Sequence, residues 1–397
     1  MTKFALILPD GAADEPVPAL GNRTPLEVAE TPNIDWIASH GRQGLIRTVP
    51  AGFTPGSDIA TLSVMGFDPG RYYSGRAPLE AAARGIHGKP DDLIFRCNFV
   101  TILDGRMVDF TAGHIAQAEA ARLIDALGAI GPRLGVEFHA GVSYRNLMVM
   151  HDAAGVDCAT TGPHDIPDLP VSDHRPRGPG AARLIGIMDE ARKILADHAV
   201  NRERRGRGES PVTDIWLWGQ GRLKPLDTLE SRFGVRGACI AAVDLIRGIA
   251  ACAGLGIIPV AGATGFLDTD YAAKGRAAVE ALDIYDLIVV HIEAPDEAGH
   301  LGDAAAKVKA LEQVDCCIVG PLLNRLRTHE RWRIAVIPDH PTPVGTRKHT
   351  AAPPPFCYAG TGVEDASHRP FGEAAAAGTG LMIDPGHGFM ELFLTAG

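Results

Sequence analysis

The sequence of 397 residues lacks any apolar run approaching the ~18 residues that a membrane-spanning helix needs. Its first apolar run, Phe4-Ala5-Leu6-Ile7-Leu8, is too short for the core of a secretory signal and stops at Pro9-Asp10-Gly11, which suits a first β-strand. No membrane partner is expected, and a cytoplasmic location is. Cysteine is also scarce: there are seven, an odd number, with no CxxC spacing, although Cys316 and Cys317 are adjacent. That pattern suits reduced thiols acting mostly as small buried apolar residues. Basic charge is in deficit, 38 Lys and Arg against 48 Asp and Glu, for a formal charge of −10. A nucleic-acid or anionic-membrane surface would need the opposite balance, so any anionic partner must be small and held in a local basic pocket. No internal repeat is present.

What is there points to an ordinary globular chain. A hydrophobic share of 46% with 46 Gly and 29 Pro indicates buried elements joined by many tight turns. The length exceeds what one core usually sustains, so a large domain with a smaller one is expected. Short apolar runs recur at residues 4–8, 97–103, 213–218, 257–261, 286–292 and 333–337. Runs such as Leu287-Ile288-Val289-Val290 are continuously apolar, as strands buried on both faces are. Helical patterns at 116–127, 181–198, 239–252, 272–282 and 304–327 lie between them. The alternation predicts an α/β fold with a largely parallel sheet between helices. Arg202 to Gly208 reads as a charged, solvated loop, Pro353-Pro354-Pro355 as a surface loop, and Glu373 to Ala377 as a late helix.

In open α/β sheets ligands gather at the carboxyl ends of strands, so acids and histidines just after the apolar runs come first. Asp10 follows the first run, Asp296 and His300 follow the run ending near His291, and Asp339-His340 follow the run 333–337, with His349 further on. Asp296 and His300 share one face if a helix begins there. Ser57 follows Pro55-Gly56 at a predicted helix start, where the helix dipole favours an alkoxide and an incoming phosphate. Taken singly, each feature has a structural alternative: a surface pair, a turn, an N-cap. Taken together they form a metal site with an activated serine. Asp10, Ser57, Asp339 and His340 would ligate one ion and Asp296, His300 and His349 another, a donor set suited to Mn²⁺ or Zn²⁺ and compatible with Mg²⁺ or Co²⁺. Two such ions can clamp the oxygens of an in-line phosphoryl displacement.

At this point the chain resembles the archaeal-type cofactor-independent phosphoglycerate mutases of the alkaline phosphatase superfamily. The resemblance is carried in order along nearly the whole chain by Asp10-Gly11, GSDIATLSVMGFDP from Gly56, YYSGRAPLEAAARGI from Tyr72, FRCNFVT from Phe95, GVSYRN from Gly141, PHDI from Pro163, WLWGQG from Trp216, AAVDLIRGIA from Ala241, GATGFLDTDY from Gly262, HIEAPDEAGH from His291 and PDHPTPVGTRKHT from Pro338. It implies that the same seven residues form the metal site, with Ser57 as nucleophile. It implies a metal-binding core from residues 1–87 and 181–397, and an inserted, substrate-clamping α/β domain at 88–180. Arg76, Arg96, Arg145 and Lys274 are then candidates for holding carboxylate and phosphate, with His164 and Asp165 for orienting hydroxyls. Leu301 and Thr61 depart from what relatives carry at those places. The reaction implied is interconversion of 3- and 2-phosphoglycerate through phosphoserine, without bisphosphoglycerate. Phosphoryl transfer to another hydroxy compound such as homoserine, and plain phosphomonoester hydrolysis, stay open as alternatives, and the sequence does not reveal an oligomeric state.

Overall fold

The structure is a computed structural model that describes residues 2–86, 88–364 and 368–395. The chain forms two compact units, residues 1–73 with 225–397, and residues 74–224. His87, at the expected domain boundary, lies outside the described residues.

The first unit is built on an eight-stranded sheet in the order Met382–Ile383, Arg42–Ile46, Pro355–Gly360, Trp332–Val336, Lys3–Pro9, Leu287–Ile292, Gly237–Ile240, Gly256–Ile257. Pro355–Gly360 runs antiparallel to both neighbours, and the other pairings are parallel. Lys3–Pro9 and Leu287–Ile292 are almost wholly buried, which accounts for their continuous apolar sequence. Alternate residues of the first strand serve opposite layers. Ala5 and Ile7 pack with Ile34, Ile37, Leu311 and Leu322, whereas Phe4 meets the ring edge of Phe393. Because Trp332–Val336, Lys3–Pro9 and Leu287–Ile292 are adjacent and parallel, their carboxyl ends share one edge of the sheet.

The second unit holds an antiparallel sheet. Leu93–Leu103 pairs with Arg145–Met150 on one side and with Asp214–Gly221 on the other, and Val136–Val142 extends it beyond Arg145–Met150. Arg106–Asp109 folds back on the end of the long strand. Its core joins Phe95, Phe99, Met148 and Trp216 to Leu123 of helix Gln117–Gly128 and Leu184 of helix Ala181–Asp197. The expected segment 88–180 lies within this unit.

Five local expectations are corrected. Pro353-Pro354-Pro355 is not a surface loop: Pro354 and Pro355 are buried and Pro355 opens a strand. The helical pattern 239–252 begins only at Asp244, after the strand Gly237–Ile240. Residues 202–208 are not a solvated loop: Ala199–Gly206 is a helix, and Arg204 is buried with hydrogen bonds to Glu119, Ala112 and Ser210. The apolar run 257–261 contributes only Gly256–Ile257 to the sheet. The helical pattern 304–327 is two α-helices, Ala304–Val314 and Gly320–Leu326, joined by a π turn at Asp315–Val319. Among the described residues no helix is long and apolar enough to cross a membrane.

Candidate metal centre

Asp10 leaves the first strand beside Gly11, whose φ of +59° is in the left-handed region and whose Cα leaves no room for a Cβ against Asp296 and Thr342. Glycine is therefore required where the chain turns past Asp296. Asp339 and His340 follow the neighbouring strand, and the Gly11 and His340 amides donate to Asp339 Oδ1 at 3.1 and 2.9 Å. Leu287–Ile292 leads into helix Ala294–Leu301, which carries Asp296 and His300 one turn apart.

Ser57 opens helix Ser57–Val64. The N-cap is Gly56, so the alternative of Ser57 as a capping residue does not hold: its Oγ is directed elsewhere. It lies 3.1 Å from Asp10 Oδ2 and 3.2 Å from His340 Nε2. His340 Nε2 is in turn 3.3 Å from Asp10 Oδ1. Beside this cluster, Asp296 is met by His300 Nε2 at 3.2 Å and His349 Nε2 at 3.4 Å, and the two imidazole nitrogens are 2.9 Å apart. The donor atoms of Asp10, Asp339 and His340 form one group close enough to share an ion, and those of Asp296, His300 and His349 form a second.

These residues fit divalent ions on three counts. First, Nδ1 of His300 faces the Arg347 carbonyl at 3.0 Å and Nδ1 of His349 faces the Pro55 carbonyl at 3.4 Å. A carbonyl only accepts, so Nδ1 of each ring carries a proton, which leaves Nε2 as the atom that would face an ion, as in metal-ligating histidine. Second, Asp339 Oδ2 is buried without a hydrogen-bond partner among the described residues. Third, burial pushes the Asp10 carboxyl well above its ordinary pKa, and the charges of Asp339 and Asp296 push it further, a concentration of negative charge that a cation relieves. Burial also raises Asp296, but hydrogen bonds from His300 and His349 outweigh it and hold that carboxyl below the usual range. His340 is lowered, chiefly by burial.

In the second unit a basic cluster forms on the sheet. Arg96 lies opposite Trp218 across a strand pair, with its guanidinium 4.2 Å from the indole centroid and its Nε 3.1 Å from Glu80. Burial lowers the Arg96 pKa, Glu80 opposes this, and the charges of Arg76 and Arg145 add to the lowering. The His164 ring packs edge-on to Trp218 at 5.0 Å, and Asp165 lies 3.6 Å from His164 Nε2. Arg76, Arg145, His164 and Asp165 are exposed. Lys274 is elsewhere, in the first unit, fully buried, with Nζ donating to the His291 carbonyl at 3.1 Å and 3.8 Å from Glu293.

Residues 38–201 match the family model described as 2,3-bisphosphoglycerate-independent phosphoglycerate mutase. The chain is 49% identical over 393 residues to the protein of that name from Methanothrix thermoacetophila, covering 99% of both chains. It belongs to the 2,3-bisphosphoglycerate-independent phosphoglycerate mutase family. Among solved structures it is similar to a Pyrococcus horikoshii protein, at TM-score 0.82 and 29% identity over 99% of this chain and 96% of the other. It is also similar to a cofactor-independent phosphoglycerate mutase from Thermoplasma acidophilum, at TM-score 0.70 and 27% identity over 99% of each.

In this member of the phosphoglycerate mutase family, sequence reasoning passed over several buried groups. His291, inside the apolar strand Leu287–Ile292, sits between carboxylates, with Nε2 3.5 Å from Asp10 Oδ2 and Nδ1 3.2 Å from Glu293 Oε1. Both are ion-pair distances, and neither contact has hydrogen-bond geometry. Lys307 is fully buried and donates to Asp14 Oδ2 at 2.7 Å and to the carbonyls of Ala13 and Thr342, tying the loop after Asp10 to the loop after His340. Thr342 Oγ1 also donates to Asp296. An ionisable residue within an apolar run was the available signal for His291; Lys307, within a helical pattern, gave none. Trp218 stood in a quoted motif, but strand register alone reveals that it supports Arg96.

Proposed function

We propose that this chain interconverts 3-phosphoglycerate and 2-phosphoglycerate, without bisphosphoglycerate, by passing the phosphoryl group through Ser57. Family membership supports the substrate, and one observation carries the chemistry: Ser57 Oγ opens a helix while lying within 3.3 Å of both Asp10 and His340. The assignment gives one divalent ion to Asp10, Ser57, Asp339 and His340, and a second to Asp296, His300 and His349. Ions bound there would supply positive charge that lowers the Ser57 pKa and neutralises phosphoryl oxygens.

Ser57 Oγ attacks phosphorus, the bond from phosphorus to the glycerate oxygen breaks, and that oxygen takes up a proton. Attack on phosphoserine by the other glycerate hydroxyl returns the group and frees Ser57. Asp10 accepts the Ser57 hydrogen bond and fixes the direction of Oγ, while the positive end of the helix dipole favours the arriving negative charge. In the second unit, Arg76, Arg96 and Arg145 are assigned to the substrate carboxylate, whose two oxygens match a planar guanidinium, and His164 and Asp165 to its hydroxyls. Lys274 takes a different part, because its buried ammonium balances Glu293.

The test is to supply purified protein with 3-phosphoglycerate and Mn²⁺, free of bisphosphoglycerate. Formation of 2-phosphoglycerate with little free phosphate is expected. Phosphate release alone would make the chain a hydrolase, and turnover confined to a phosphoryl donor with homoserine would make it a different phosphotransferase; either result removes the proposal.

A further inference from the structure

The π turn Asp315–Val319 sets two thiols side by side. Pro321 has no N–H, so the carbonyl of Cys317, four residues earlier, loses its α-helical donor, and Gly320 N–H bonds instead to the Asp315 carbonyl five residues back. The released Cys317 carbonyl packs against Gly275 of helix Tyr271–Ala281, where a Cβ would collide with it. A wider turn subtends a smaller angle per residue, which brings successive side chains together. Cys316 Sγ and Cys317 Sγ are 3.1 Å apart, the first exposed and the second partly so. Both line a cavity of about 440 Å³ with the apolar side chains of Ala272, Val279 and Pro321, and with Arg276 and Glu280 at hand.

We propose that Cys316 and Cys317 form a two-thiol site for a trivalent arsenical bearing one apolar organic group, the group lodging against Ala272, Val279 and Pro321. Tetrahedral zinc, with bonds of ~2.3 Å, spreads its sulfurs to roughly 3.8 Å and needs further ligands. The cysteines belong to neither of the three-residue ligand groups found among the described residues. A pyramidal arsenic centre needs only the two sulfurs and accepts a narrow bite. With an organoarsenic oxide, both S–H bonds and the As–O linkage break and two As–S bonds form. The oxygen leaves as water with both thiol protons, and arsenic stays trivalent. Burial, and then Cys316 beside it, push the Cys317 thiol up to about 11, so Cys317 is protonated at neutral pH and its alkylation by thiolate attack is slow. Condensation that expels water needs no standing thiolate.

The test is titration of the full chain with phenylarsine oxide, followed by intact mass and free-thiol count. One adduct per chain with loss of two thiols is expected, resistant to a monothiol and reversed by 2,3-dimercaptopropanol. Cys316→Ser and Cys317→Ser should each abolish it at equimolar reagent with unchanged circular dichroism, and Cys252→Ser should keep it. Val279→Trp, which fills the cavity, should weaken phenylarsine oxide at least tenfold relative to inorganic arsenite. An adduct that persists in both serine variants, that a monothiol strips, or that never forms on the native chain would overturn the site. An unchanged preference in Val279→Trp would overturn its organic half.

Discussion

At the residue scale the centre turns on what Ser57 does not do. A capping serine would spend its hydroxyl on a backbone amide, and its loss would cost about 1 kcal/mol of stability. Here Gly56 is the cap and the Ser57 hydroxyl points to Asp10 and His340. Ser57→Ala should therefore lower mutase turnover at least about a thousandfold, the scale of nucleophile removal, with no change in melting temperature. Acid-quenched wild type should carry phosphate on the peptide containing Ser57, and retained activity in the variant would end that assignment. A second prediction follows from His300. Its hydrogen bond to Asp296 is the largest effect on it, burial opposes, and the net result is a pKa raised from 6.5 to about 9 in the ion-free protein. A divalent ion must displace that proton, so binding should release it across this window and affinity should rise with pH until about 9. Calorimetry in buffers of different ionisation enthalpy reads the proton directly, and His300→Ala should abolish the release. Pairs such as Asp339-His340 were visible because they directly follow apolar runs, where a parallel sheet gathers ligands. His291 was not, since a lone histidine in an apolar strand looks the same whether it faces a carboxylate or a methyl group.

At the element scale, periodicity read the long central strands and most helices correctly, because both faces of the large sheet are covered and the apolar runs are unbroken. It failed where burial is polar. Helix Ala199–Gly206 shows no apolar stripe beyond Val200, and its inward position is filled by Arg204, whose guanidinium reaches Glu119 and the carbonyls of Ala112 and Ser210. The chain pattern of charge is that of a solvated loop; two of the partners that bury Arg204 lie 85 and 92 residues away in sequence, where no local pattern reveals them. Arg204→Ala should leave the Ala112 and Ser210 carbonyls without this donor and Glu119 with Arg207 as its remaining partner, and destabilise the second unit by about 3 kcal/mol. Arg205→Ala, on the exposed side of the same helix, should change stability by less than about 0.5 kcal/mol. Urea unfolding of both variants compares them, and equal midpoints would return the segment to the surface.

At the scale of the whole molecule, composition and length lead to the expectation of a larger and a smaller part, but a boundary depends on which strands pair, and pairing is not written locally. Strand Asp214–Gly221 closes on Leu93–Leu103, and helix Ala181–Asp197 adds Leu184, Ile187, Met188 and Leu195 to the core that holds Phe95 and Phe99. The ends of this unit also meet: the Ser74 hydroxyl donates to the Arg222 carbonyl, and a Cβ on Gly221 would strike the Ser74 carbonyl. A chain segment with its own core and adjoining ends can fold alone. Residues 74–224 expressed by themselves should therefore give a cooperative thermal transition and dispersed amide resonances. Residues 88–180 lack that strand and that helix, which removes one neighbour of the longest strand and much of its apolar cover, so they should remain unfolded or aggregate. The fragment 74–224 should also fail to retain Mn²⁺ on desalting, because Asp10, Ser57, Asp296, His300, Asp339, His340 and His349 all belong to the other unit. A folded 88–180, or an unfolded 74–224, would show that the boundary follows the sequence motifs and not the strand pairing.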